Sequence, residues 1–439
     1  MSSIAEKFFA KKKNQTVVCF PKHLETEHYL GDFYGYYVEN TNYYNIVTEK
    51  AESNYPTIKK IGKITGKRPK TQPKELTGFF EEGKLVFMDT DGKIAKNEPF
   101  LLKLDIFSRN VGILESDVMM KTGAVLVGCG SVGSLVALEL AKAGVGRFLL
   151  VDNDILGYHN ICRHQCGLLD VGRFKTDAVK DRILQINPTA KVVTQNCTIQ
   201  EVPLNVINEF CDKDTIVIGG ADNREGDLYA NGIAKEIGMP MMSIGCWERA
   251  FAGEIFYCLP EGMPDYSDFI WAIGGMSGRV NQNRKFYTTE EELEKAAFEP
   301  GISVDIDFVT VIAIKLALDI LNRNNPNFTP RLLGHLTQYT LVCNTNNPKI
   351  GGDNAEIFSY PLQVTTSIEV PYAPKEGEEE KPAEEKAEKK PAAKKAAKKP
   401  AAKKESEKKP AAKKAVKKPA PKKESEKKPA AKKSSGKKS

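Results

Sequence analysis

Residues 124–127, Ala-Val-Leu-Val, run directly into Gly128-Cys129-Gly130-Ser131-Val132-Gly133, and Ser131–Ala143 continues at helical apolar spacing. A short β-branched run that ends in glycines and opens a helix reads as strand, tight turn, helix. Gly128, Gly130 and Gly133 let the backbone turn sharply, approach a phosphate or nucleoside, and pack the helix on the sheet. The helix start that follows favours an anion. Asp152 ends the next apolar run, Phe148–Val151, 19 residues after Gly133. That spacing suits a carboxylate that accepts hydrogen bonds from ribose hydroxyls. To this point the reading is a nucleotide-binding fold, and an NAD-dependent oxidoreductase fits it equally well.

The same rhythm spreads outward. Thr176–Ile186 is amphipathic, Val192–Thr194 and Thr215–Ile218 read as strands, Leu228–Ile237 as a helix, and Met241–Ile244 as a further apolar run. Strands that alternate with helices of this length argue for βαβ units. The expected fold class is therefore α/β, a Rossmann-like, doubly wound, mainly parallel sheet over residues 105–372. Val304–Leu321 reads as a long apolar helix buried against that sheet. Residues 1–104 read as a separate mixed or β-rich unit with short apolar runs at Thr16–Phe20 and Lys84–Phe87, and Lys59–Lys74 reads as a basic loop. Residues 373–439 read as a disordered tail of Lys, Ala, Pro, Glu and Ser.

Residues after Asp152 separate the nucleotide chemistries. Asp152-Asn-Asp154 is followed by Asn160, Arg163, His164 and Gln165, and then by Lys175 at a helix start. An NAD enzyme has no use for cations there, whereas an AMP-transferring enzyme does. Attack of a carboxylate on the α-phosphate of ATP builds negative charge on that phosphate and on the departing pyrophosphate. Arg, Lys and Mg²⁺ stabilise such a state, Arg as a fork and Lys as a point charge. Asp222, just past Thr215–Gly220, is placed to hold the metal, although an Asp there would also serve as a helix cap.

Taken together, residues Phe107 to about Glu254 resemble the ubiquitin-activating-enzyme-like superfamily, which includes the ThiF, MoeB and HesA adenylyltransferases. The resemblance rests on motifs in one order. They are Ser108-Arg109-Asn110, the glycine loop, Asp152-Asn-Asp154, Asn160-Ile-Cys-Arg163-His164 for an N-x-x-R-[QH] turn, Gly172-Arg-Phe-Lys175, Asn187-Pro188 and Ala221-Asp222-Asn223. It continues more weakly through Glu299-Pro-Gly301 to Leu321. It implies that Asp152 holds the ribose, with Asp154 beside it. It implies too that Asn160, Arg163 and Lys175 contact the triphosphate, that Asp222 binds Mg²⁺, and that Arg109 reaches into the ATP site of a second copy in a homodimer. The usual acceptor implied is the C-terminal glycine of a ubiquitin-like or sulfur-carrier protein. Alternatives are a small or tRNA-attached carboxylate, or an inactive nucleotide-binding scaffold.

Two departures qualify the resemblance. Many relatives bind structural zinc through paired CxxC motifs; this chain has none, and no zinc site is expected. Many carry a thioester-forming cysteine in the crossover before the last helix, yet Leu259–Val304 contains no Cys, and Cys246 reads as a buried structural thiol. Cys129 and Cys162 read as packing residues.

Composition bounds the rest. The nine cysteines, an odd number with no small disulfide scaffold, suit a reducing compartment. Met1–Lys13 is charged, and no apolar run is long enough to span a bilayer, so a cytoplasmic protein with no membrane association is expected. From Lys375 onward there are 25 Lys and 11 Glu, a net +14 against +7 for the whole chain, which leaves the body at −7. KKESEKKPAAKK occurs at 403–414 and again at 422–433, and the paired lysines resemble linker-histone tails. Such a tail would bind nucleic acid or another polyanion through salt-sensitive phosphate contacts and, lacking aromatics, could not stack on bases.

Overall fold

The computed structural model describes residues 15–50, 58–101, 105–221, 224–275, 300–366 and 369–374. The basic tail, Asp222 and Glu299 therefore lie outside the described residues.

The described residues up to Phe100 build a seven-stranded mixed sheet. Its strands are β1 (Val17–Pro21), β2 (Gly31–Val38), β3 (Tyr43–Thr48), β4 (Lys59–Ile64), β5 (Leu76–Glu81), β6 (Lys84–Met88) and β7 (Lys96–Phe100), in the order β6-β5-β4-β2-β3-β1-β7. The two ends of that order meet. Asn97 Nδ2 donates to the Leu85 carbonyl at 2.6 Å, the Ala95 amide donates to the Phe87 carbonyl at 2.9 Å, and Met88 bridges Ile94. The sheet thus curls into a barrel around Val18, Phe20, Phe33, Ile46, Leu76 and Phe87. The basic stretch expected to be a loop contributes β4. Its Ile61 and Ile64 pack inward while Lys59, Lys60 and Lys63 face solvent, so only two apolar residues mark it as a strand.

The second sheet carries the site. It comprises β8 (Gly123–Val127), β9 (Arg147–Val151), β10 (Lys191–Gln195), β11 (Thr215–Gly219), β12 (Met241–Cys246), β13 (Ala252–Cys258), β14 (Tyr339–Cys343) and β15 (Gln363–Thr366). The order is β10-β9-β8-β11-β12-β13-β14-β15, parallel through β12 and antiparallel beyond it. Every residue of β8 and β11 is buried, as both-face coverage by helices requires.

The helix after β8, Ser131–Ala143, packs on one face together with Lys175–Ile186 and the 19-residue helix Ser303–Leu321. The helix after β11, Arg224–Ile237, packs on the other face with Leu204–Phe210 and Tyr266–Ala272. The chain therefore leaves β8 and β11 in opposite directions, and a crevice opens between their carboxyl ends. In open α/β sheets this switch point is where ligands bind. The doubly wound fold, the buried apolar helix and the motif strands are as the sequence indicates.

Candidate active site

At the crevice the glycine loop closes against the end of β11. Gly128 has φ +97°, and a Cβ there would lie 2.9 Å from the Ala221 amide nitrogen. A Cβ on Gly133 would lie 1.9 Å from the Gly128 carbonyl oxygen. Both positions need glycine for packing. Gly130 differs: a Cβ would meet nothing within 4 Å, so its bareness keeps space open ahead of the helix Ser131–Ala143.

Asp152, at the end of β9, accepts the Cys129 amide at 2.6 Å through Oδ2 and the Asp154 amide at 2.8 Å through Oδ1. Each carboxylate oxygen retains a lone pair, so a hydroxyl donor can still be received. Lys175 is buried at the start of its helix, and its ammonium meets Asp154 Oδ2 at 2.6 Å. The Lys175 amide also donates to the Asp154 carbonyl at 3.0 Å. One ammonium N–H is thus committed to a solvent-facing carboxylate and two remain.

The turn between these elements is held by its own side chains. Asn160 Oδ1 accepts the Gly157 amide at 2.9 Å, so Asn160 shapes the turn itself. His164 is 7% exposed; its Nε2 lies 2.7 Å from the Cys129 carbonyl, and its Nδ1 accepts the Cys166 amide at 3.0 Å. Arg163 turns toward the crossover: its Nη1 lies 3.7 Å from where a Cβ on Gly301 would sit, and the same Cβ would be 3.7 Å from Ala250. Arg109 is exposed in the turn before Ser116.

The structure thus joins Gly128, Gly130, Gly133, Asp152, Asp154, Asn160 and Lys175 along one edge and sets Arg163 against the Gly301 segment. Burial pushes the Cys129 thiol well above its ordinary value, with Asp152 adding to the effect, which fits a packing role. Two cysteine readings need correction. Cys162 is exposed and its thiol reaches only the His159 carbonyl of its own turn, at 3.5 Å, and Cys246 is only half-buried, at the last residue of β12.

A buried ion pair just past the crevice has only a faint sequence signal. Arg224 Nη2 meets Glu254 Oε1 at 3.0 Å, with side chains 8% and 5% exposed. Glu254 also accepts from Tyr339 at 2.9 Å and Trp247 at 3.3 Å. Asp227, fully buried, accepts from Ser243 at 2.6 Å. Among the described residues, no group of three His, Cys, Asp or Glu side chains converges as a metal-ligand set.

A family model described as "ThiF family" matches residues 105–348, more than half of the chain. The chain belongs to the ThiF family. Within it, the chain is similar to a probable molybdopterin-synthase adenylyltransferase of Porphyra purpurea, at 31% identity over 36% of this chain and 40% of that one. It is similar to the tRNA threonylcarbamoyladenosine dehydratase of Bacillus subtilis, at 41% identity over 20% of this chain and 36% of that one. It is also similar to ubiquitin-like modifier-activating enzyme 5 of Xenopus laevis, at 29% identity over 34% of this chain and 40% of that one. The matched region spans about two fifths of the length of these relatives.

Proposed function

We propose that this ThiF-family chain is an ATP-dependent adenylyltransferase whose acceptor is the C-terminal glycine carboxylate of a ubiquitin-like or sulfur-carrier protein. The observation that carries this reading is the buried Lys175 ammonium, tethered by Asp154 at the switch-point edge beside the glycine loop. A buried cation at that edge matches the need to stabilise phosphate charge.

In this reading the ribose hydroxyls donate to Asp152 and the triphosphate follows the helix start at Ser131. An acceptor carboxylate oxygen attacks the α-phosphorus. The bond to the bridging oxygen of the β-phosphate breaks, its electron pair leaves with pyrophosphate, and an acyl adenylate forms. Lys175 and Arg163 offset the charge that develops, and Asn160 holds the Arg163 turn in shape. Mg²⁺, when bound, would neutralise phosphate charge, with Asp222 supplying a carboxylate. Ala221, the residue before Asp222, abuts the glycine loop, and Mg²⁺ typically takes only one or two carboxylates besides phosphate oxygens and water. Arg109, exposed, is assigned to the ATP site of a second copy, which makes the working unit a homodimer.

ATP–pyrophosphate exchange tests the proposal. Exchange that depends on a Gly-terminated carrier protein is the expected result, and Lys175→Ala should lower it by about 10²-fold or more with unchanged circular dichroism. Exchange driven instead by a tRNA-linked or small acid would overturn the protein acceptor. The similarity to the tRNA-modifying dehydratase makes that the second reading.

A further inference from the structure

His164 sits between the glycine loop and the segment that follows the Arg163 turn. Its Nε2 faces the carbonyl of Cys129, inside the glycine loop, at 2.7 Å. Its Nδ1 receives the amide of Cys166, beyond the Arg163 turn, at 3.0 Å. These partners fix the tautomer. A backbone N–H donates to Nδ1, so Nδ1 is bare and Nε2 carries the proton that reaches the Cys129 oxygen. Both ring nitrogens are thus spent on backbone groups, one of them 35 residues away in sequence. The next residue adds a tie, the Gln165 amide donating at 3.3 Å to Ser134 Oγ, in the helix Ser131–Ala143 that leaves the glycine loop.

We propose that His164 is a positioning residue for ATP: as a neutral Nε2–H imidazole it clamps the glycine loop to the Arg163 turn, and its protonation opens the clamp. The proposal rests on the adenylyltransferase reading for its ligand. Its physical content is a clash of donors. A second proton can go only on Nδ1, where it would point at the Cys166 N–H, and a buried donor left facing a donor is strongly disfavoured. Lys175 opposes a charge on the ring, while the bond to the Cys129 carbonyl, Asp152 and Asp170 favour one. Burial dominates and pushes the imidazole below its ordinary value, with Lys175 acting in the same direction.

The test uses the full chain with ATP as the probe. Nitrogen-15 NMR of the unliganded protein should show His164 as the Nε2–H tautomer. By calorimetry, His164→Ala should weaken ATP binding by about tenfold. His164→Gln, which keeps an amide N–H for the Cys129 carbonyl but does not titrate, should restore most of it. ATP affinity of the native chain should fall as pH drops through the folded value of His164, which lies below the ordinary value of about 6.5, while the profile of His164→Gln should lack that step. An Nδ1–H tautomer, a folded His164→Ala that binds ATP as the native chain does, or identical pH profiles for the native and Gln chains would overturn the clamp. A native chain that binds no ATP at all would instead sink the adenylyltransferase reading, with the NMR result standing apart from it.

Discussion

The three glycines of the loop make separable demands, and substitution by alanine should sort them. Gly133→Ala drives a methyl to within 1.9 Å of a backbone oxygen, and Gly128→Ala combines φ +97° with a 2.9 Å approach to Ala221. Each should lower thermal stability by about 1–3 kcal/mol or more and abolish ATP binding as a consequence. Gly130→Ala meets no protein atom within 4 Å, so the melting temperature should stay within a few degrees while ATP affinity drops. A Gly130→Ala protein that binds ATP normally would show that the open space there is not used by the nucleotide. These residues were legible in the sequence because spacing and residue type carry the chemistry of a tight strand-to-helix turn. His164 was visible only as a motif letter, since its role depends on a carbonyl 35 positions away.

Among elements, the start of Arg224–Ile237 is bolted to β13 and β14 by the Arg224–Glu254 pair and the Tyr339 hydroxyl. Breaking a pair this deeply buried leaves a lone charge in the interior. Glu254→Gln or Arg224→Met alone should destabilise by about 3–5 kcal/mol, and the double change by less than the sum, in a urea-denaturation cycle. The helix Tyr266–Ala272 offers a pH test. Its cap, Asp265, accepts the Ser267 amide at 2.8 Å and Lys235 Nζ at 2.7 Å. Burial alone would raise the Asp265 carboxyl, yet the bonds from Lys235 and Ser267 outweigh it and hold the group below its usual range. Ionised Asp265 therefore contributes stability that is complete above the unfolded value near ~4 and is lost as pH falls through the lower folded value. Asp265→Asn, which still caps the helix, should flatten that acid arm and cost less than about 1 kcal/mol at neutral pH, read from denaturation midpoints.

The parallel elements announced themselves through apolar runs. Strand β4 did not, because Lys-Lys-Ile-Gly-Lys-Ile offers only Ile61 and Ile64 to the core and looks like solvent-loving chain. Strands β13 to β15 were equally hard to foresee, since which strand reverses direction is decided by pairing partners far off in sequence.

For the whole molecule, charge is the organising asymmetry: −7 in the body against +14 from Lys375 onward. A run of that charge predicts electrostatic binding to a polyanion. Truncation after Pro374 should remove binding to duplex DNA that weakens steeply between about 50 and 200 mM salt, and should leave pyrophosphate exchange untouched. Salt-insensitive binding, or binding kept by the truncated chain, would refute that prediction. Among the described residues, no helix is long and apolar enough to cross a membrane.

The seam between β6 and β7 has a consequence for how this chain behaves when crowded with copies of itself. A terminal strand normally exposes a row of unpaired amides and carbonyls that can recruit a strand from a stranger and seed fibrils. Here Glu25 takes the Leu85 amide, Asn97 takes the Leu85 carbonyl, and Pro99 withholds a donor within β7. Asn97→Ala should therefore do little to the ATP site yet raise light scattering on prolonged warming, because it reopens a hydrogen-bonding ledge that the native protein keeps shut.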